Sequence, residues 1–81
     1  QKTIGSIFKN PENHSAGALI ESCGLKGKKV GDAVVSSLHA NFIVNTKNAT
    51  QKEVLELIDY IKQVVQKKTG ILLKEEIRIF S

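Results

Sequence analysis

Several features that identify common protein classes are missing from this sequence. Cys23 is the only cysteine in 81 residues, so no disulfide can form within the chain and we expect a protein of the reducing cytoplasm. No apolar run approaches the roughly 20 residues of a transmembrane helix, and no signal-peptide pattern opens the chain. His14 and His39 match none of the familiar zinc spacings with Cys23, so we predict no metal site.

Nucleotide-binding fingerprints are also missing. No Walker-type loop occurs, and no G-x-G-x-x-G pattern follows a predicted strand. A chain of 81 residues makes one small domain, which we expect to be too small for a complete cofactor enzyme. The sequence starts at Gln1 rather than at a methionine and enters a strand-like pattern almost at once. We therefore expect the chain, residues 1–81, to be one domain of a longer protein whose remainder lies upstream.

Among the features that the sequence does have, an excess of positive charge bears most directly on possible partners. Twelve basic residues against eight acidic ones give a net charge of +4 at pH 7, which favours an anionic partner and leaves phosphate ligands, nucleic acid and membrane surfaces open. The densest positive charge lies in a predicted turn, Gly24 to Lys29, which is either a solvated connector or a loop that faces a phosphate. Its lysines are Lys26, Lys28 and Lys29.

That turn supports an alternative function. Gly24-Leu25-Lys26-Gly27 matches the G-x-x-G loop with which KH modules clamp a nucleic-acid backbone. The few aromatic residues and the lack of a clear helix directly after the loop count against it. A KH-like RNA-binding module is therefore the alternative hypothesis.

The hydrophobic pattern predicts an α+β fold: a small, mostly antiparallel sheet with two helices packed on one face, in the order β-α-β-β-α-β. The predicted elements are a strand over 1–10, a helix over 16–23, strands over 33–37 and 39–45 that pair as a hairpin, a helix from about 50 to 69, and one or two strands over 71–80. In the last segment Glu76, Arg78 and Phe80 share a face.

Local signals define the two helices. Ser15 is a candidate N-cap of the first helix, Gly24 a candidate left-handed cap at its end, and Cys23 a core residue. Thr50 and Glu53 have the spacing of a capping box. The second helix carries an apolar stripe of Val54, Leu57, Ile58, Ile61, Val64 and Val65, has Lys67 and Lys68 in its last turn, and ends at Gly70.

The first strand carries the most distinctive segment, Gly5 to Pro11. Regular alternation would place Ser6, Phe8 and Asn10 on one face, with Ser6 and Asn10 about 13 Å apart. That separation suits two contacts along an extended ligand better than one compact catalytic cluster. The alternative is an ordinary edge strand that leads into a turn at Pro11.

Several motifs together are similar to a known family. They are Gly5-Ser6-Ile7-Phe8-Lys9-Asn10-Pro11, Ala16-Gly17 with Leu19-Ile20-Glu21, Gly24-Leu25-Lys26-Gly27, Val34 and Ser36, His39-Ala40-Asn41-Phe42-Ile43-Val44-Asn45, and Glu76-Ile77-Arg78. In this order, and over nearly the whole chain, they resemble the C-terminal domain of UDP-N-acetylenolpyruvoylglucosamine reductase. The first motif and the His-Ala-Asn-Phe segment are the specific ones. Gly31-Asp32 departs from the paired glycines that the family often has.

The resemblance implies a flavoenzyme of bacterial peptidoglycan synthesis in the cytoplasm. NADPH reduces FAD, the flavin delivers hydride to the enolpyruvyl double bond of UDP-N-acetylglucosamine enolpyruvate, and a serine protonates the resulting carbanionic centre to give UDP-N-acetylmuramate. The FAD-binding domains precede this domain in the family. The resemblance therefore implies that the chain alone is inactive and has no nucleic-acid or membrane partner.

The resemblance also implies roles for individual residues. Ser6 is the general acid, and Glu76 is the catalytic carboxylate that holds and polarises the carboxyl-bearing end of the substrate. Asn10 and His39 bind the nucleotide end, and Lys9 and the lysines of the basic turn support the diphosphate electrostatically. No residue of the chain is assigned to the cofactor.

Overall fold

The structure is a computed structural model, and it describes residues 2–76. Its elements are β1 (Lys2–Ser6), α1 (Ala16–Ser22), β2 (Lys29–Val30), β3 (Ala33–Val35), β4 (Phe42–Asn45) and α2 (Gln51–Thr69). The strands form one antiparallel sheet in the order β1-β4-β3-β2, which confirms the α+β class. No helix in this part of the chain is long and apolar enough to cross a membrane.

The sheet contains a short strand that the sequence pattern did not predict. β2 pairs with β3: Lys29 lies opposite Val34, and Val30 lies opposite Ala33. We had predicted the end of the basic turn at Lys29 and a connecting segment from Val30 to the next strand. The turn between them is Gly31-Asp32, and Gly31 has φ 56°. A positive φ at the first turn residue is typical of two-residue hairpins, and it explains the glycine there.

The predicted hairpin of the two central strands is confirmed, but both strands are shorter than predicted. β3 ends at Val35 and β4 begins at Phe42, so residues 36–41 form the connection. The Ser36 hydroxyl accepts hydrogen bonds from the amides of Leu38 and His39, at 3.1 and 3.2 Å. This side-chain turn occupies amides that a longer ladder would have needed.

β1 is an edge strand with a bulge. Thr3 pairs with Val44 and Gly5 with Ile43, so Ile4 is an extra residue in β1. Gly5 has φ 115°, a conformation that favours glycine.

β1 ends at Ser6 rather than at Asn10. Ile7 and Phe8 are both 1% exposed, although regular alternation had placed them on opposite faces. The predicted alternation from Ser6 to Asn10 is therefore wrong: Ser6 and Asn10 are not two positions of one regular strand.

Both predicted helix caps are confirmed. The Ser15 hydroxyl accepts from the Ala18 amide at 3.2 Å, and α1 ends with Cys23 buried in the core and Gly24 at φ 73°. In α2 the capping box is complete, with Glu53 N donating to Thr50 Oγ1 at 3.1 Å and Thr50 N donating to a Glu53 carboxylate oxygen at 3.0 Å. Gly70 is the left-handed C-cap, as predicted.

The helices cover one face of the sheet. α2 packs against β2 and β3, and α1 packs against α2. Ala33, Val35 and Ile43 are at most 1% exposed, whereas the alternate residues Val34, Phe42 and Val44 are half-buried. We call the face that carries these last three the helix-free face.

Residues 74–76 return to the segment that follows β1. Phe8 forms an isolated antiparallel bridge with Glu75, and Lys9 N donates to the Lys74 carbonyl at 2.9 Å. The predicted final strand therefore has its first pairing at this bridge. Arg78 and Phe80, which we had predicted on the same face as Glu76, lie outside the described residues.

Candidate functional site

Asn41 connects β4 to the segment that follows β1. Its side-chain oxygen accepts from the Phe8 amide at 2.9 Å, and its side-chain nitrogen donates to the Phe8 carbonyl at 2.9 Å and to Ser6 Oγ at 3.0 Å. Its own carbonyl accepts from the Ile7 amide at 2.9 Å. Asn41 thus supplies hydrogen-bond partners for the backbone of Ile7 and Phe8, just beyond the last ladder pair of β1. We had interpreted Asn41 only as a strand residue, although an amide inside an apolar run needs buried partners.

Ser6 lies on the helix-free face. It pairs with Phe42 in the β1–β4 ladder, and directly opposed residues project to the same side of a sheet. Beside Phe42 is an open hollow of about 490 Å³. Its lining includes Val34, Ser36, Leu38, His39, Phe42 and Val44. The exposed Ser6 lies across the β1–β4 ladder from Phe42, which is one of the residues that line this hollow.

His39 belongs to this same surface. It lines the hollow and is exposed, and its ring centroid is 5.6 Å from that of Phe42, with the two rings tilted by 50°. Phe42 therefore has His39 on one side and Ser6 as its partner in the β1–β4 ladder. Of the five predicted site residues, His39 lines this hollow, and Ser6 is one strand away from it.

Asn10 and Lys9 lie in a different pocket. It has a volume of about 280 Å³, and its lining consists of Lys9, Asn10, Pro11, Glu12, Leu72 and Lys74. The Asn10 side-chain oxygen accepts from the Ala16 amide at 2.9 Å, so it helps to cap α1. A ligand that touches both His39 and Asn10 must extend from one pocket to the other.

Glu76 is brought next to the serine segment by the chain's return. Its amide donates to the Ile7 carbonyl at 2.8 Å, one residue from Ser6, and its side chain is exposed. The neighbouring Glu75 is held differently, because it forms a 2.9 Å ion pair with Lys62 of α2. The hydrogen bond from Lys62 lowers the pKa of Glu75 below its usual value. This ion pair fixes the segment that carries Glu76 to α2.

The basic turn does not support the RNA-binding alternative. The G-x-x-G segment joins α1 to β2 rather than to a second helix, and its Leu25 is only 5% exposed. Two lysines of the basic turn also have contacts within the domain: Lys26 pairs with Glu21 at 3.2 Å, and Lys28 lies 4.6 Å from the centroid of the Tyr60 ring. The G-x-x-G segment thus connects a helix to a strand.

Comparisons with known proteins agree with the resemblance. The family model described as "UDP-N-acetylenolpyruvoylglucosamine reductase, C-terminal domain" matches residues 1–80. UDP-N-acetylenolpyruvoylglucosamine reductases of Desulforamulus reducens and Nitrosospira multiformis are 57% and 53% identical over 93% of this chain. The chain spans only 25% and 22% of their lengths, which is about a quarter.

A solved structure shares the fold. The crystal structure of UDP-N-acetylenolpyruvylglucosamine reductase from Thermus caldophilus superimposes with a TM-score of 0.82 at 44% identity. The match covers all of this chain and 28% of that one.

Proposed function

The chain belongs to the family of UDP-N-acetylenolpyruvoylglucosamine reductase C-terminal domains, and on that premise we propose that it is the substrate-binding and proton-donating domain of such a reductase. The observation that carries the proposal is the placement of Ser6. Ser6 is exposed, its hydroxyl accepts a hydrogen bond from Asn41 at 3.0 Å, and its ladder partner Phe42 lines a hollow of about 490 Å³. An exposed hydroxyl that is held by a hydrogen bond fits a proton donor.

The proposed reaction reduces UDP-N-acetylglucosamine enolpyruvate to UDP-N-acetylmuramate for peptidoglycan synthesis in the bacterial cytoplasm. FAD held by the rest of the reductase and reduced by NADPH would supply the hydride. Ser6 gives its proton to the carbanionic carbon, so its O–H bond breaks and a C–H bond forms. A serine hydroxyl is a weak acid, and the proton reaches a strongly basic carbon only if the geometry holds the two together.

The flavin site is assigned to the rest of the reductase. Within residues 2–76, neither helix starts from a glycine-rich phosphate loop: α1 begins after Ser15 and α2 after Thr50. Neither helix of this part of the chain therefore offers that kind of site for the flavin phosphates. We infer that the remaining three quarters of the reductase hold FAD and NADPH and pack over the helix-free face.

The substrate is proposed to lie across the helix-free face. Ser6 would meet the enolpyruvyl group, and the hollow at His39 would take a part of the nucleotide end. Asn10 and Lys9 line the separate pocket with Lys74, where two lysines favour a phosphate. Contacts with both pockets require a substrate as extended as a nucleoside-diphosphate sugar.

Glu76 is proposed to act only after its surroundings become drier. Its carboxylate is exposed in this chain, and water screens the field of an exposed charge strongly. The upstream domains would have to exclude that water. We therefore expect the 81-residue chain, mixed with FAD, NADPH and substrate, to oxidise no NADPH, and turnover by the purified chain would contradict this requirement.

The role of Ser6 has a direct test in the full-length reductase. Ser6→Ala should leave the reduction of the flavin by NADPH unchanged and slow its reoxidation by substrate at least about 100-fold, the usual range for losing a general acid. Stopped-flow absorbance separates the two half-reactions. Ser22→Ala is the matched control, because the Ser22 hydroxyl donates to the Leu19 carbonyl within α1. An unchanged second half-reaction in Ser6→Ala would refute the proposed acid.

A further inference from the structure

The orientation of the Asn41 carboxamide is determined by the backbone of Phe8. The Phe8 N–H can donate only to an oxygen, and it reaches the Asn41 side-chain oxygen at 2.9 Å. The NH₂ group must therefore face the Phe8 carbonyl and Ser6 Oγ, at 2.9 and 3.0 Å. An amide nitrogen does not accept hydrogen bonds, so Ser6 Oγ is the acceptor in this pair. The Ser6 O–H is left to point elsewhere.

We propose that Asn41 is a positioning residue that prepares Ser6 to donate its proton. The inference rests on the proposed function of Ser6. By donating to Oγ, the Asn41 amide occupies an acceptor position of the oxygen and directs the O–H away from the protein. The hydroxyl on this exposed face then points its proton toward the bound substrate.

The same hydrogen bond stabilises the oxygen after the proton has left. When the Ser6 O–H bond breaks, the electron pair of the carbanion forms the new C–H bond, and the negative charge moves to Oγ. The Asn41 N–H already faces this oxygen, and hydrogen bonds to charged acceptors are stronger than those to neutral ones. Water then returns a proton to Ser6. The hydrogen bond from Asn41 therefore becomes stronger as negative charge develops on Ser6 Oγ, as in an oxyanion hole.

The support of Asn41 is rigid. Its side chain is half-buried and is held by both the amide and the carbonyl of Phe8, a residue that is 1% exposed. Its backbone carbonyl accepts from Ile7. An exposed serine on an edge strand would otherwise sample several rotamers, and a donor fixed to buried backbone reduces that freedom.

The test measures flavin reoxidation by substrate in the full-length reductase. Asn41→Ala should slow this step about 100-fold, the range for removing one oxyanion donor, and leave flavin reduction by NADPH unchanged. In a Ser6→Ala background, Asn41→Ala should change the step by less than about twofold, because a residue that acts through Ser6 has no effect without it. A further loss of about 100-fold in that background would overturn the positioning role while leaving Ser6 as the acid.

Two more variants separate this role from loss of folding. Asn41→Asp keeps an oxygen for the Phe8 amide and removes both donated hydrogens, so it should also slow reoxidation; a wild-type rate would overturn the proposal. Asn45→Ala is the matched control on β4, since the Asn45 side-chain oxygen accepts only from the amides of Lys47 and Ala49 within residues 2–76, and it should react at the wild-type rate. If Ser6→Ala itself reacts normally, the proposed function fails and this inference fails with it.

Discussion

The two faces of the four-stranded sheet differ in what completes them. On the helix-covered face, Val35 and Ile43 pack with α2, and Leu57 of that helix is 0% exposed. On the helix-free face, Phe42 and Val44 are half-buried and Leu38 is 79% exposed. The same strands supply both faces, because their side chains alternate. One face is completed within this chain, whereas the other has apolar surface for which we propose a covering from the rest of the reductase.

The faces also differ in the kind of contact that organises them. Apolar packing and caps close in sequence determine the helix-covered face. Hydrogen bonds across 33 to 35 residues, from Asn41 to Phe8 and Ser6, determine the Ser6 end of the helix-free face. Stability and proposed chemistry are therefore separated on opposite sides of one sheet.

The largest expected effect compares one leucine from each region. Leu57→Ala should lower the free energy of unfolding of this chain by about 2 to 5 kcal/mol, because it leaves a cavity in a closed core. Leu38→Ala removes a side chain that is 79% exposed and should change it by less than about 0.5 kcal/mol. Urea denaturation measures both. Equal losses would show that the helix-free face is already covered, for example by self-association.

A smaller effect concerns the polar attachment of α2 to the hairpin. Gly31 and Gly27 both have positive φ, 56° and 84°, so alanine at either should cost about 1 to 2 kcal/mol. A Cβ on Gly31 would also overlap the Glu53 carboxylate, whereas one on Gly27 would meet nothing within 4 Å. Displacing that carboxylate breaks the capping box with Thr50, so Gly31→Ala should cost about 1 kcal/mol more than Gly27→Ala.

Thermal unfolding of the two glycine variants, followed by circular dichroism, checks this difference. Equal losses would mean that the Glu53 carboxylate moves aside without cost. The helix-covered face would then depend on apolar packing alone.

The smallest expected effect is pH-dependent and concerns the Lys62–Glu75 pair. The pKa of Glu75 is lower in the folded chain than in the unfolded one, mainly through the Lys62 hydrogen bond. Its contribution is therefore complete above the unfolded pKa and is lost as the pH falls through the folded pKa. Both side chains are partly exposed, at 30% and 43%, so Glu75→Gln should cost only about 0.5 kcal/mol at neutral pH.

Urea denaturation at about pH 7 and about pH 3 measures this dependence. The difference between the wild type and Glu75→Gln should be smaller at the lower pH. Glu76→Gln is the control and should change stability at neither pH. A constant difference would assign the effect of Glu75→Gln to something other than the ion pair.

The helix-covered face could be predicted from the sequence better than the helix-free face. The Thr50–Glu53 capping box and the apolar stripe of α2 are local patterns, so α2 was predicted nearly to the residue. The predicted strand from Ser6 to Asn10 was wrong because Asn41, distant in sequence, takes both backbone groups of Phe8. A hydrogen bond between residues so far apart in sequence leaves no trace in the hydrophobic periodicity of a strand.

The site residues themselves came from family resemblance rather than from pattern. The motif around Ser6 and the His-Ala-Asn-Phe segment were the specific ones for the family, but they did not show which pocket each residue would occupy. The separation of Asn10 from His39 required the structure, because Asn10 turned out to cap α1. The roles of these residues stay predictions until the half-reactions are measured.

The bulge at Ile4 has a consequence for how the protein can vary. If the side chains of β1 alternated regularly from Thr3, Ser6 would lie on the helix-covered face, as Ile43 does. Because Ile4 and Gly5 together oppose Ile43, the bulge shifts the alternation by one residue, and the Ser6 hydroxyl lies on the helix-free face. The proposed chemistry therefore depends on the number of residues in β1: an insertion or deletion of one residue would turn the serine toward the helix-covered face, whereas a change of two would leave it facing out.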